Sequence, residues 1–250
     1  MMFPHSILKG LMIAALLLPC TRLSFSETAV SPTSDTLGFN ALVLRIAGEY
    51  PTDGTHGYWW PKAGEGNYDG CTRDLELQGK RVMRGEEKKR AYCCGLTLEV
   101  FLRAYKEWLK DHGGEEASVL TPENWKEFQR QWFVVEKNGP GPSAAAEQFG
   151  LGKTIPRGEA RPGDFVQIWR TENKNGKVSG HSVIFLDWVR DAGGNPNGFR
   201  YWSTQPGTKG INEVTEHYGP DGGMAEQYTY FCRIEPRAVK AAPKTETEMK

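Results

Sequence analysis

The chain has 250 residues, with 31 Lys plus Arg against 31 Asp plus Glu, 38% hydrophobic and 11% aromatic residues. A formal charge of zero and the lack of a dense basic run leave no long-range field to gather a polyanion, which argues against nucleic-acid binding as the main role. The many Trp, Tyr and Phe side chains supply enough apolar surface to offset the entropy of ordering, which excludes a disordered protein, and the length suits one large domain or two small ones.

The first residues read as an address. Lys9 precedes an apolar run from Leu11 to Leu18, too short to span a bilayer, which needs roughly 20 helical residues. Ser24 and Ser26 flank Phe25 as a leader-peptidase site requires, so residues 1–26 are expected to be a secretory signal peptide. Pro19 stands before Cys20 where a lipoprotein signal takes a small residue, so no lipid is expected. Cleavage removes Lys9 and Arg22 and no acid, which keeps the mature chain near neutral and leaves no membrane segment. Four cysteines remain: Cys71, Cys93, Cys94 and Cys232. Outside the cytoplasm thiols pair, but adjacent cysteines form a strained eight-membered ring. One of Cys93 and Cys94 pairing with Cys71 or Cys232, with the other free, is an arrangement the spacing allows without choosing it.

From Asp35 to Glu49, apolar residues at mixed three- and four-residue spacing predict a helix capped by Ser34 or Asp35. Residues 50–92 dissolve into Gly, Pro, Asp and aromatics, a structured loop region with a strand pair expected around Asp74 to Met83. The clearest helix runs from Cys93 to Lys110, where Leu98, Phe101, Tyr105 and Trp108 form one stripe closed by Gly113-Gly114. Thr121-Pro122-Glu123-Asn124 announces another helix to about Trp132, and a short one covers Pro142 to Phe149. Strands are expected over Phe165 to Trp169, His181 to Trp188, Phe199 to Thr204 and Tyr228 to Ile234. Helices first and antiparallel strands after define an α+β fold, here one domain over 27–235. Residues 236–250 are Ala, Pro, Lys and Glu without an apolar face, a disordered tail.

A thiol becomes a strong nucleophile where its thiolate is stabilised, and the unpaired N–H groups and dipole of a helix start do that. Cys93 and Cys94 occupy such a start. Stepping back from Tyr105 through Phe101 and Leu98 reaches Cys94 on or near the buried stripe, and Cys93 is turned roughly 100° away. Cys93 is therefore the expected exposed nucleophile. It needs a base that works near neutral pH, and among the five histidines only His181 opens a predicted strand.

These residues carry a resemblance. The helix start Tyr92-Cys93-Cys94-Gly95-Leu96-Thr97 resembles that of the NlpC-type cell-wall peptidases, which with the CHAP amidases belong to the papain-like superfamily. Arg161-Pro162-Gly163-Asp164-Phe165-Val166 and Gly180-His181-Ser182-Val183-Ile184-Phe185-Leu186 are similar to two strands of that family, in the same order. Tyr92 and Cys94 depart from the family's usual Asp and Ser. The resemblance implies a papain-like core, with the nucleophile helix packed on the sheet, Cys93 as nucleophile, His181 as base and a polar residue on the next strand to orient the imidazole. Alternation along Tyr201 to Gln205 offers Gln205 for that place, with Ser203 in reserve. Tyr58 resembles a family tyrosine near the oxyanion, and Tyr58, Trp59 and Ser203 are the expected substrate-binding residues. The implied reaction is amide hydrolysis in cell-wall (peptidoglycan) peptides, without a cofactor.

Cysteine spacing does not suit tetrahedral chelation, so no metal is expected. Tyr58-Trp59-Trp60 suits stacking on sugar rings or plugging a core edge. Glu86 to Arg90 is a solvated charged run in which Arg90 adds positive potential before Cys93. Two rival readings keep the same residues: a non-catalytic wall- or glycan-binding module with its cysteines in disulfides, and an acyltransferase that passes the acyl group to an amine.

Overall fold

A computed structural model describes residues 34–62 and 65–238; the expected signal peptide and the stretch of the expected tail from residue 239 on lie outside the described residues. The first helix, α1 (Ser34–Ala47), occupies the periodic segment but is not continuous, because Gly38 sits at φ 68°, ψ 158°. Only glycine adopts that conformation at little cost, so the regular helix starts after it. Phe39, Leu42, Val43 and Ile46 then fall on one buried stripe. Strands β1 (Leu75–Leu77) and β2 (Lys80–Met83) form the expected hairpin. Gln78 and Gly79 between them both take positive φ, the requirement of a two-residue turn that matches strand twist.

The long helix α2 (Cys93–Lys110) buries Leu98, Phe101, Leu102, Tyr105 and Leu109, and Gly114 N–H closes it on the Leu109 carbonyl. Helix α3 (Trp125–Trp132) starts later than the sequence suggests. The Thr121 N–H donates to Asn124 Oδ1 at 2.8 Å, so residues 121–124 are spent on a turn that feeds the helix. A short α4 (Pro142–Gln148) follows.

The remaining strands are β3 (Gly152–Ile155), β4 (Phe165–Trp169), β5 (Gly180–Arg190), β6 (Pro196–Gln205), β7 (Gly210–His217) and β8 (Tyr230–Ile234). They make one six-stranded antiparallel sheet in the order β3-β8-β4-β5-β6-β7. The fold is α+β. Strands β3 and β7 have no counterpart in the expected elements. Both lie at the sheet edges with much of their length in solvent, and polar residues such as Glu213, Thr215 and Glu216 hide the apolar period.

One face of the sheet carries Phe165, Ile184, Trp202 and Cys232 into the core formed with α1, α2 and α3. The other carries Val166, Val183, Phe185, Phe199 and Phe231 into a second cluster. All described residues belong to one compact unit.

Asp164 is the clip between these layers. Fully buried, it accepts from the Arg161 N–H at 2.7 Å, Asn40 Nδ2 at 2.8 Å and Arg233 Nε and Nη2 at 3.0 and 2.8 Å, which joins the entry of β4 to α1 and β8. Replacing Arg233 by Met strands a carboxylate without its cation, and removal of one partner of a buried pair costs about 3–5 kcal/mol. A fall of that size in urea-unfolding free energy is the expected result. Arg45→Gln, which removes an exposed partner of Glu49 and Glu107, is expected to cost no more than about 1 kcal/mol.

Candidate active site

The first turn of α2 meets the start of β5. Two contacts set the approach. Thr97, one turn into the helix, has its hydroxyl 2.9 Å from that of Ser182, and Trp132 Nε1 donates to the same Thr97 oxygen at 3.2 Å. Gly95 removes the side chain where the helix passes the 69–70 backbone: a Cβ there would lie 2.3 Å from the Asp69 carbonyl oxygen. Helix and strand are thereby locked one turn from Cys93 and one residue from His181.

The two side chains come together. His181 stands against the Cys93 sulfur, and the Ser182 backbone N–H donates to it. The Cys94 thiol, donating to the same sulfur, is the largest influence that holds Cys93 well below the usual thiol range; burial opposes it, and the charge and hydrogen bond of His181 add to the lowering. Burial, and then its neighbour Cys93, push Cys94 well above that range. One sulfur is favoured as thiolate while the other keeps its proton and donates it.

The expected exposure of Cys93 is corrected: Cys93 is 8% and Cys94 7% exposed, because the aromatic loop before α2 covers the helix start. What separates the two is the imidazole beside Cys93 and the second cavity: Cys94 lines only the smaller of the two cavities described below, Cys93 both. Cys71, Cys93, Cys94 and Cys232 are all free and buried. Cys71 Sγ donates to the Arg84 carbonyl at 3.2 Å, and Cys232 Sγ lies 3.6 Å from that of Pro142. Burial pushes both thiols up, which makes them inert beside Cys93.

Cys93 and His181 lie where two cavities join. The smaller, of about 340 Å³, is walled by Trp60, Phe133, Val134, Val135 and Trp169; the larger, of about 760 Å³, by Tyr58, Trp60, Arg170, Lys177 and Gln205. Trp60 and Val135 are 58% and 51% exposed and form apolar lips. Val134 holds φ 70°, a conformation that costs a β-branched residue on the order of 1–3 kcal/mol, so the wall is built under strain.

Three expected site residues take other places. Gln205 does not reach the imidazole: its Oε1 lies 3.1 Å from the Tyr201 hydroxyl, which also lies 2.9 Å from Glu216. Ser203 is buried and donates to the Ser182 carbonyl at 2.8 Å, tying β6 to β5 outside the cleft. His181 Nε2 is buried with no hydrogen-bond partner, so neither residue orients the ring. Its position is fixed by burial and by the Tyr201 ring, edge-on at 5.6 Å between centroids. Trp59 faces away, stacked on Tyr68 at 5.0 Å beneath the Arg90 guanidinium at 3.8 Å. In extended backbone adjacent side chains point to opposite sides, so Tyr58 and Trp60 share the cleft and Trp59 cannot.

Tyr58 does line the larger cavity, and burial followed by the nearby sulfurs pushes its phenol up to about 12, so it keeps its proton beside Cys93. Sequence reasoning also passed over Arg170, Lys177 and the 133–137 wall. Alternation through Tyr58-Trp59-Trp60 was the one available signal, and it selects Trp60.

Among the described residues no cluster of His, Cys, Asp and Glu is placed to hold a metal, and no helix is long and apolar enough to cross a membrane. No family model matches the chain, and no solved structure matches it significantly.

Proposed function

We propose that this chain is an exported cysteine hydrolase of papain-like, NlpC-related type that cleaves amide bonds in cell-wall peptides. One observation carries the reading: a thiol held low opens a helix against a buried histidine at the floor of a cleft. His181 takes the Cys93 proton, the thiolate attacks the amide carbonyl, and the proton passes from His181 to the departing amine. The developing oxyanion meets the Cys93 backbone N–H, which has no intrahelical acceptor at a helix start, with the protonated Tyr58 phenol as second donor. Water then repeats the sequence on the thioester and releases a carboxylate. Free thiols at all four described cysteines favour this reading over a binding module whose cysteines are consumed in disulfides. Export rests on the leader-like residues 1–26, and the substrate on the family resemblance.

Iodoacetamide at pH 6.5 is expected to alkylate Cys93 and spare Cys71, Cys94 and Cys232, as read by peptide mass. Loss of hydrolysis of a cell-wall peptide digest should follow the same time course. Cys93→Ala is expected to abolish that hydrolysis, and a variant that still cleaves ends the proposal.

A further inference from the structure

The larger cavity has a chemical character of its own. Its polar wall is Arg170, Lys177, Ser179 and Gln205, and no Asp or Glu lines it. Glu216 engages Nε and Nη2 of Arg170 at 2.6 and 2.7 Å from outside the cavity, which fixes the guanidinium in place. The Gln205 amide also lines the cavity, with one end 3.1 Å from the Tyr201 hydroxyl, whose single proton Glu216 draws at 2.9 Å. The Lys177 backbone is anchored too: its N–H donates to Asn173 Oδ1 at 3.0 Å, and its carbonyl accepts from the Asn173 N–H at 3.1 Å. Glu216 offsets the charge of Arg170, so the positive sign of the cavity comes from the exposed Lys177 ammonium, and a lining with donors and no carboxylate suits an anionic, acceptor-rich group. The smaller cavity differs: Glu136 stands beside Lys137, Gln167 and Ser182 add polar groups, and Trp60, Phe133, Val134, Val135 and Trp169 make the larger part of its wall apolar.

We propose that the larger cavity is a subsite for a carboxylate of the substrate, so that the enzyme selects amides bearing a carboxylate on one side of the scissile bond and an apolar group on the other. This inference rests on the hydrolase reading for its consequence and on the cavity alone for its binding. Gln205, on this view, serves the substrate and not the imidazole.

Two reagents differing in charge test it at Cys93. The alkylation rate with iodoacetate, divided by that with iodoacetamide, is expected to fall about fivefold in Lys177→Glu, the effect of reversing one charge across a wet cleft. Lys153→Glu, on β3 at the sheet edge, is expected to keep the wild-type ratio. A ratio indifferent to Lys177→Glu overturns the subsite. A second arm does not need the thiol: in Cys93→Ala, amide chemical-shift titration should show N-acetyl-alanyl-alanine binding at least about fivefold more tightly than its C-terminal carboxamide. The perturbed signals should include Ser179, Gly180 and Gly207, and Lys177→Glu should erase the preference. Equal binding of the two peptides refutes the subsite. Carboxylate preference in Cys93→Ala, beside a Cys93 that alkylates no faster than a free thiol, upholds the subsite and removes the hydrolase reading instead.

Discussion

Substitution of His181 by Asn is expected to lower peptide hydrolysis by about 10²–10⁴-fold, the range that a positioned acid–base group contributes. The same change is expected to shift the pH dependence of Cys93 alkylation upward. Only the thiolate reacts with iodoacetamide, and in the folded protein Cys93 is held below the ordinary thiol range by Cys94, by the charge and hydrogen bond of His181 and by the Ser182 N–H. Wild-type reactivity therefore persists as pH falls below about 8.5, where an unperturbed thiol has lost half its thiolate. Without the imidazole the decline sets in at higher pH, although Cys94 and the Ser182 N–H still hold it short of a free thiol. Asn is chosen over Ala because His181 is buried and a smaller residue would open a cavity. Unfolding midpoints of both proteins check that the loss is chemical. An alkylation profile identical to that of the wild type would show that His181 does not stabilise the thiolate.

The parts of this site that follow local rules were readable before any coordinates. A 3.6-residue stripe placed Cys93 and Cys94 at the start of α2, and an apolar run after the polar turn at Lys174 to Lys177 placed His181 at the start of β5. What surrounds them was not readable, for reasons specific to each residue. Gln205 shares a face with Tyr201, and the Tyr201 hydroxyl, reaching along the strand, stands against the amide that the imidazole was expected to use. Ser203 finds a backbone carbonyl on the adjacent strand, which depends on the pairing of β5 with β6 and not on its own segment. Val134 and Val135 wall the cleft because a strained turn after α3 carries them there, and a β-branched residue at positive φ is the opposite of what its propensity indicates. The Pro-Gly-Asp segment carries Asp164, which fastens α1, the entry of β4 and β8 together through partners distant in sequence.

Gly95→Ala is expected to destabilise the protein by about 3 kcal/mol or more and to remove much of the reactivity of Cys93. By helix propensity alone the sign is the reverse, since alanine exceeds glycine by about 1 kcal/mol inside a helix. Packing decides against propensity here. The added Cβ would lie 2.3 Å from the Asp69 carbonyl oxygen and 2.4 and 2.5 Å from the Gly70 carbonyl carbon and Cα, all of them backbone atoms. That loop is held on several sides: the Tyr92 N–H donates to the Gly70 carbonyl at 3.1 Å, and the Asp69 carboxylate accepts from the Arg84 N–H at 2.7 Å and Gln129 Nε2 at 3.1 Å. Gly70 is at φ 76°, and any side chain there would meet the Tyr92 ring. Since overpacking against yielding side chains already costs about 1–3 kcal/mol, a clash with a fixed backbone belongs at or above the top of that range. Relief comes from moving the first turn of α2, which carries Cys93 away from His181, and a displacement near 1 Å lowers a positioned reaction by about 10²-fold. The stability loss is read from urea unfolding and the misplacement from the iodoacetamide rate. An alanine variant that gains stability and keeps that rate would show that the loop yields and does not set the position of the thiol.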